Sequence, residues 1–193
     1  MKDLMIDLET MGKGDNAAIV SIGACFFDPA TNEIGAEFEV AVDLGSSVDA
    51  GGQMDADTVL WWLKQDDDTR GKLLRTCLVL PSALQRFNHF LQQHGDSENI
   101  KVWGNGASFD LVILRNAFTH VGSDKYVPWQ FFNERDVRTV VDMGRRILNI
   151  DPKRDVPFEG VRHSALADAV HQAKYVSHIW QALVRNTGAI TPV

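Results

Sequence analysis

Two carboxylates, Asp7 and Glu9, stand one residue apart at the end of a short apolar run, Leu4-Met5-Ile6. In an extended strand successive side chains alternate sides, so Asp7 and Glu9 project together while Leu8 faces the core. Such a pair repels itself and is costly to strip of water unless a cation lies between the two groups. Oxygen ligands at this spacing suit Mg²⁺ or Mn²⁺ rather than zinc. A strand that simply frays into solvent at Asp7 accounts for the same residues without a cation. A second acidic station follows in Asn105-Gly106-Ala107-Ser108-Phe109-Asp110, where a tight turn leads into a helix with Asp110 in its first turn. An Asp there complements the helix dipole whether or not it binds anything. The third is His163-Ser164-Ala165-Leu166-Ala167-Asp168. Asp168 sits among small and apolar neighbours, where a carboxylate needs a partner. His163, five positions upstream, can swing over the same site. His89, His94, His120, His171 and His178 lack such company and read as structural or solvent-exposed.

The elements that must position these groups can be read from periodicity and turn chemistry. After the first strand, residues 12–16 form a turn and residues 17–27 (AAIVSIGACFF) read as a largely buried strand. Turn residues at 28–32 lead to an alternating strand over 33–42, which completes an antiparallel meander. Residues 44–52 read as a small-residue loop. Asp55 or Asp57 caps a helix through Trp61 and Trp62, and residues 66–68 start a short one. Pro81 opens a helix with Leu84, Phe87, Phe90 and Leu91 on one face. A fourth strand covers 100–103, a helix 108–120, a fifth strand falls between 129 and 132, and helices cover 137–148 and 164–185. Residues 149–162, with Pro152 and Pro157, read as irregular. Strands first in a meander and then alternating with helices predict an α/β fold, a mixed sheet with helices on both faces. Ligands in such sheets gather beyond the carboxyl ends of the strands, where Asp7 and Glu9 lie.

At 193 residues the chain fits one domain, with no internal repeat or linker to divide it. An apolar fraction of 45% and a charged fraction of 23% are those of a soluble globular protein, and no apolar run is long enough to span a bilayer. Acidic residues interrupt any signal-peptide pattern at the start. Cys25 and Cys77 read as reduced core residues of a cytoplasmic protein. The net charge of −7 gives no general attraction to a polyanion. Residues 134–162 are slightly positive, with seven basic side chains against six acidic ones, which suits either a solvated surface or contact with a phosphate backbone.

Taken together and in this order, D-x-E, N-G-x-x-F-D and H-x-x-x-x-D resemble the DEDD superfamily of 3′–5′ exonucleases. The four residues between His163 and Asp168 match its histidine branch, DEDDh, rather than the tyrosine branch, which has three. The proofreading exonucleases of DNA polymerase III and ribonuclease T belong to that branch. The Trp61-Trp62 pair and the run Arg135-Asp136-Val137-Arg138-Thr139 look closer still to a bacterial and phage subgroup of exoribonuclease-like proteins related to exodeoxyribonuclease VIII. The resemblance implies a ribonuclease H-like mixed five-stranded sheet and a single exonuclease domain over residues 1–193. It implies that Asp7, Glu9, Asp110 and Asp168 bind two Mg²⁺ (or Mn²⁺) ions, that His163 is the general base, and that nucleoside 5′-monophosphates are released. Histidine suits that role because its unperturbed pKa of about 6.5 lies near working pH. Thr10 and Met11 are implied to line a terminal-nucleotide pocket. Trp61 and Trp62 lie ~100° apart on a helix, so one can be core while the other faces a cleft; Trp62 is the expected base-stacking residue. Trp103, Trp129 and Trp180 are expected in the core. Asn105 either orients Asp110 or reaches substrate.

The implied partner is a nucleic acid 3′ end, RNA favoured over DNA, met by a homodimer. An exodeoxyribonuclease, a non-catalytic nucleic-acid-binding subunit and a phosphoesterase of small nucleotides are the alternatives. A non-catalytic relative would have lost one of the five residues, and none is lost here.

Overall fold

The computed structural model describes residues 1–73, 77–121, 127–160 and 163–187. Its strands are β1 (Asp3–Thr10), β2 (Ile19–Asp28), β3 (Glu33–Ala41), β4 (Lys101–Gly104) and β5 (Glu134–Asp136). The helices are α1 (Leu44–Asp49), α2 (Ala56–Leu63), α3 (Asp67–Leu73), α4 (Leu80–His94), α5 (Asp110–His120), α6 (Val137–Leu148), α7 (Pro152–Asp155) and α8 (Ala165–Thr187). One sheet runs in the order β3-β2-β1-β4-β5. The β1–β2 and β2–β3 pairs are antiparallel, as a meander requires, while β4 and β5 add in parallel to β1. The carboxyl ends of β1, β4 and β5 therefore open on the same edge.

Alternation along β1 divides the interior. Leu4, Ile6 and Leu8 face a core built with α4 and α5, where Phe87, Phe90, Leu111 and Leu114 are buried. Met5 faces the other way, into a second core with Val137 of α6 and Ala169, Ala173 and Val176 of α8. Asp7 and Glu9 continue the Met5 face, so they point towards α8. The described residues contain no helix long and apolar enough to cross a membrane.

Four local expectations are corrected. The stretch after β3 is a helical turn, α1: Asp43 caps it by accepting from Ser46 N at 2.7 Å, and Ser46 and Ser47 hydroxyls accept from Leu80 N and Ile19 N, both at 2.8 Å. Small polar residues there serve as hydrogen-bonding pins rather than as a loop. The fifth strand is Glu134–Asp136, and the aromatic Phe131–Asn133 segment is a 3₁₀ turn whose two phenylalanines are exposed. Three charged residues pair as a strand because the edge needs only a short ladder, and Asp136 ends it by capping α6 at Thr139 N, 2.8 Å away. Residues 152–155 form the short α7. Trp180 lies on the outer side of α8 and is exposed, whereas Trp103 and Trp129 are buried as expected.

Candidate active site

The site assembles where the carboxyl end of β1 meets the first turns of α5 and α8. Asp110 is supplied by the β4–α5 turn, in which Gly106 takes a left-handed φ of +95° that favours glycine. Ala107 N donates to Asp136 Oδ2 at 2.8 Å, so the carboxylate that caps α6 also anchors this turn. Asp110 is only 3% exposed, and its Oδ1 accepts from Leu8 N at 3.2 Å. Burial pushes its carboxyl up to about 7, against partial relief from the amides of Leu8, Asp110 and Asn105 and from the Arg138 charge. Asp7 is also raised well above its ordinary value. Desolvation is the main cause, followed by the charges of Asp110, Glu9 and Asp168, while an amide hydrogen bond from Gln172 Nε2 at 2.7 Å works the other way. The four carboxylates thus feel one another as a single group although residues 7 and 168 are distant in sequence.

Asp168 arrives on α8 because β2 carries no side chain where that helix lands. Gly23 pairs with Asp7 across β1–β2, and a methyl group at Gly23 would overlap the backbone of Ala165 and Leu166. Ser164 Oγ, just before the helix, pins the approach by donating to Glu39 Oε1 at 2.9 Å. We expect Gly23→Ala to cost about 1–3 kcal/mol by overpacking. A shift of α8 by about 1 Å is expected to lower turnover about 10²-fold. Melting and steady-state kinetics on the same variant check both, and an unchanged kcat would separate α8 placement from activity.

His163 holds a left-handed φ of 59°, a conformation for which histidine is among the better-suited non-glycine residues. Its ring meets Trp61 edge-on at 4.9 Å between centroids and Trp62 at 6.5 Å. Ligand atoms of Glu9, His163 and Asp168 come within 4.8 Å of one another. Two carboxylates and an imidazole this close can hold a divalent cation, and Asp7, which feels the charges of Glu9, Asp110 and Asp168, adds further oxygen donors beside them.

The expected base-stacking residue is corrected. Trp62 is 3% exposed, its Nε1 donates to Thr10 O at 3.0 Å, and it packs beside Met11, Ala18 and Val20. Its neighbour Trp61 is 41% exposed and presents the open face. Thr10 and Met11 are likewise buried. Thr10 Oγ1 donates to Gly12 O at 2.8 Å and Met11 N to Ala18 O at 2.8 Å, so the Met11 amide is not turned towards a ligand, as a terminal-nucleotide pocket would need. They support Trp62 and the start of α2 instead, since Asp55 N, at the α2 cap, donates to Met11 O. Asn105 donates its backbone amide to Asp110 and lines a cleft of about 710 Å³ between α6 and α8 together with Asp168 and Gln172.

Sequence reasoning missed Gly23, Gln172 and Arg138. A lone glycine inside a buried strand signals close backbone approach. Gln172 lies four residues after Asp168, on the same helix face. Arg138 stood out only as one of a basic group and as part of the Arg135–Thr139 run, with no role of its own; Arg162 of that group lies outside the described residues.

Residues 2–180 match the model of the 3′–5′ exoribonuclease Rv2179c-like domain. An exodeoxyribonuclease of Enterobacteria phage T4 is 27% identical over 163 residues, spanning 74% of this chain and 71% of the phage protein. Among solved structures, the nuclease domain of 3′hExo, a DEDDh family member bound to rAMP, superposes with a TM-score of 0.57 at 14% identity, covering 93% of this chain and 92% of that one. Cell-death related nuclease 4 gives a TM-score of 0.61 at 14% identity, over 97% of this chain and 64% of that one. The mixed five-stranded sheet with its helices is thus the ribonuclease H-like fold of these nucleases.

Proposed function

The chain belongs to the family of Rv2179c-like 3′–5′ exoribonuclease domains, and from that membership we propose that it is a nuclease of the DEDDh type that removes nucleoside 5′-monophosphates stepwise from single-stranded or 3′-overhanging RNA. The observation that carries the reading is the convergence of Asp7, Glu9, Asp110 and Asp168 with His163 at one sheet edge. In the proposed scheme the four carboxylates would hold two Mg²⁺ or Mn²⁺ ions, whose positive charge would activate water and stabilise the leaving 3′-oxygen. His163 accepts the proton of the attacking water on an imidazole nitrogen. Trp61, packed edge-on against His163, offers its open face to the terminal base and keeps the imidazole over the carboxylates. Gln172 fixes the Asp7 carboxylate, and the Asn105 side chain reaches the strand entering the cleft.

RNA is preferred in this reading because the family model describes exoribonucleases; the phage relative acts on DNA by its name, and exodeoxyribonuclease activity is the second reading. The working unit is a single domain over residues 1–193, assembled as a homodimer in the cytoplasm, where the free Cys25 and Cys77 stay reduced. End-labelled RNA and DNA oligomers of one sequence, with Mg²⁺ and then Mn²⁺, test the activity. A ladder of products shortened one nucleotide at a time from the 3′ end is expected, faster on RNA. Absence of turnover, or turnover of dinucleotides alone, would support a binding subunit or a small-nucleotide phosphoesterase instead. His163→Ala is expected to lose roughly 10²–10⁴ in rate, the usual worth of a general base; wild-type rates across neutral pH would remove His163 from that role.

A further inference from the structure

The cleft between α6 and α8 opens directly on Asp168 and Gln172, and its volume of about 710 Å³ is that of a ligand site rather than a packing defect. Two arginines line it, Arg138 and Arg145. Arg145 is already paired with Asp151, and beyond the lining Arg146 pairs with Asp142 and Lys174 with Glu159. Arg138 differs. It lines the cleft from the first turn of α6, its side chain is exposed, and among the described residues no carboxylate lies within ion-pair distance of it. Gly106 makes room for it: a Cβ at that position would sit 3.0 Å from Arg138 Cζ. The guanidinium is therefore held against the turn that supplies Asp110, at the threshold between the carboxylates and the cleft. The opposite wall carries Phe158, His171 and Tyr175 in edge-to-face succession, with centroids 5.0 and 5.2 Å apart. An unpaired planar cation facing an aromatic wall suits a strand with charged linkages and stackable bases.

We propose that Arg138 grips the internucleotide phosphate on the 5′ side of the scissile one, and that the α6–α8 cleft guides the strand into the active site. This rests on the exonuclease reading above. An acidic protein gains here a local contact that holds a polyanion in register without a broad basic surface. The competing role for Arg138 is to offset the charge of Asp110, and the two roles differ in what they respond to. A grip on one phosphate disappears when that phosphate loses its charge; an effect on Asp110 does not depend on which linkage is neutral.

The test is a set of oligoribonucleotides in which each linkage in turn is an uncharged methylphosphonate, cleaved by wild type, Arg138→Gln and Arg138→Lys. Wild type is expected to lose about 10- to 100-fold in kcat/KM when the linkage next to the scissile one is neutral, the worth of a charge-assisted hydrogen bond. Arg138→Gln should show that loss on the unmodified strand and little further loss on the modified one, while Arg138→Lys should keep part of the sensitivity. The proposal is overturned if Arg138→Gln lowers cleavage by the same factor on every oligomer, whichever linkage is neutral. Failure of the wild type to cut any of them would instead overturn the exonuclease reading, and this inference with it.

Discussion

Stripped of divalent cations, the protein is expected to melt at a lower temperature at pH 8 than at pH 5, and added Mg²⁺ or Mn²⁺ is expected to restore most of the difference. The sign follows from Asp110, whose carboxyl is raised from 3.8 to about 7 in the folded state. The fold binds that proton more tightly than the unfolded chain does, so the stabilisation is complete below about pH 4 and is lost as pH rises through 7. Asp7 is raised in the same direction by burial and by its three carboxylate neighbours. Carboxylates held low, such as Asp55, Asp96, Asp155 and Glu159, act oppositely, but their contribution is already present by pH 5 and does not change across this interval. Between pH 5 and the folded value of about 7 only the unfolded carboxyl has lost its proton, and two pH units on one buried group amount to about 3 kcal/mol. At about 2–4 °C per kcal/mol for a chain of this length, that is roughly 10 °C. Cation binding should matter little at pH 5, where protons occupy the same oxygens. Thermal melts in chelator and in metal at both pH values are the measurement. A metal-free melting temperature that does not fall with pH would mean that these carboxylates do not burden the fold as their burial implies.

The second large effect expected is the loss of turnover in Asp7→Asn, accompanied by no loss of fold. The substitution keeps the oxygen that accepts from Gln172 Nε2 and removes one of four converging negative charges. The charge stabilisation that a bound cation gives the transition state is worth several kcal/mol, and each 1.36 kcal/mol is tenfold in rate. A fall of about 10³-fold or more in kcat is therefore expected. In the same variant the metal-free protein at pH 8 should melt no lower than wild type, because the repulsion within the cluster is relieved. Asp168→Ala should share the kinetic loss. Turnover within tenfold of wild type in either variant would remove that carboxylate from the reaction.

The parts of this molecule legible in the sequence are those whose physics is local. Alternation placed Asp7 and Glu9 on one side of β1 and Leu8 on the other. Capping chemistry narrowed the start of α2 to Asp55 or Asp57, of which Asp55 is the cap, and apolar spacing located α4 with Phe87 and Phe90 inward. What was not legible depends on which surface each element meets. Helical spacing separates Trp61 from Trp62 but does not fix the phase of α2, which the hydrogen bond from Trp62 to Thr10 decides. Gly23 matters only because α8 lands on it, more than 140 positions later in the chain. Phe131 and Phe132 have strand-forming side chains, yet the ladder to β4 was taken by Glu134–Asp136.

The landing of α8 on Gly23 also orders events during synthesis on the ribosome. Asp7 and Glu9 are translated first and Asp110 past the midpoint, whereas His163 and Asp168 follow only when most of this sequence has been translated. Until α8 docks, a nascent chain holds three of its four carboxylates and no imidazole beside them. A nuclease of this family is thereby without its complete set of site residues for most of its translation.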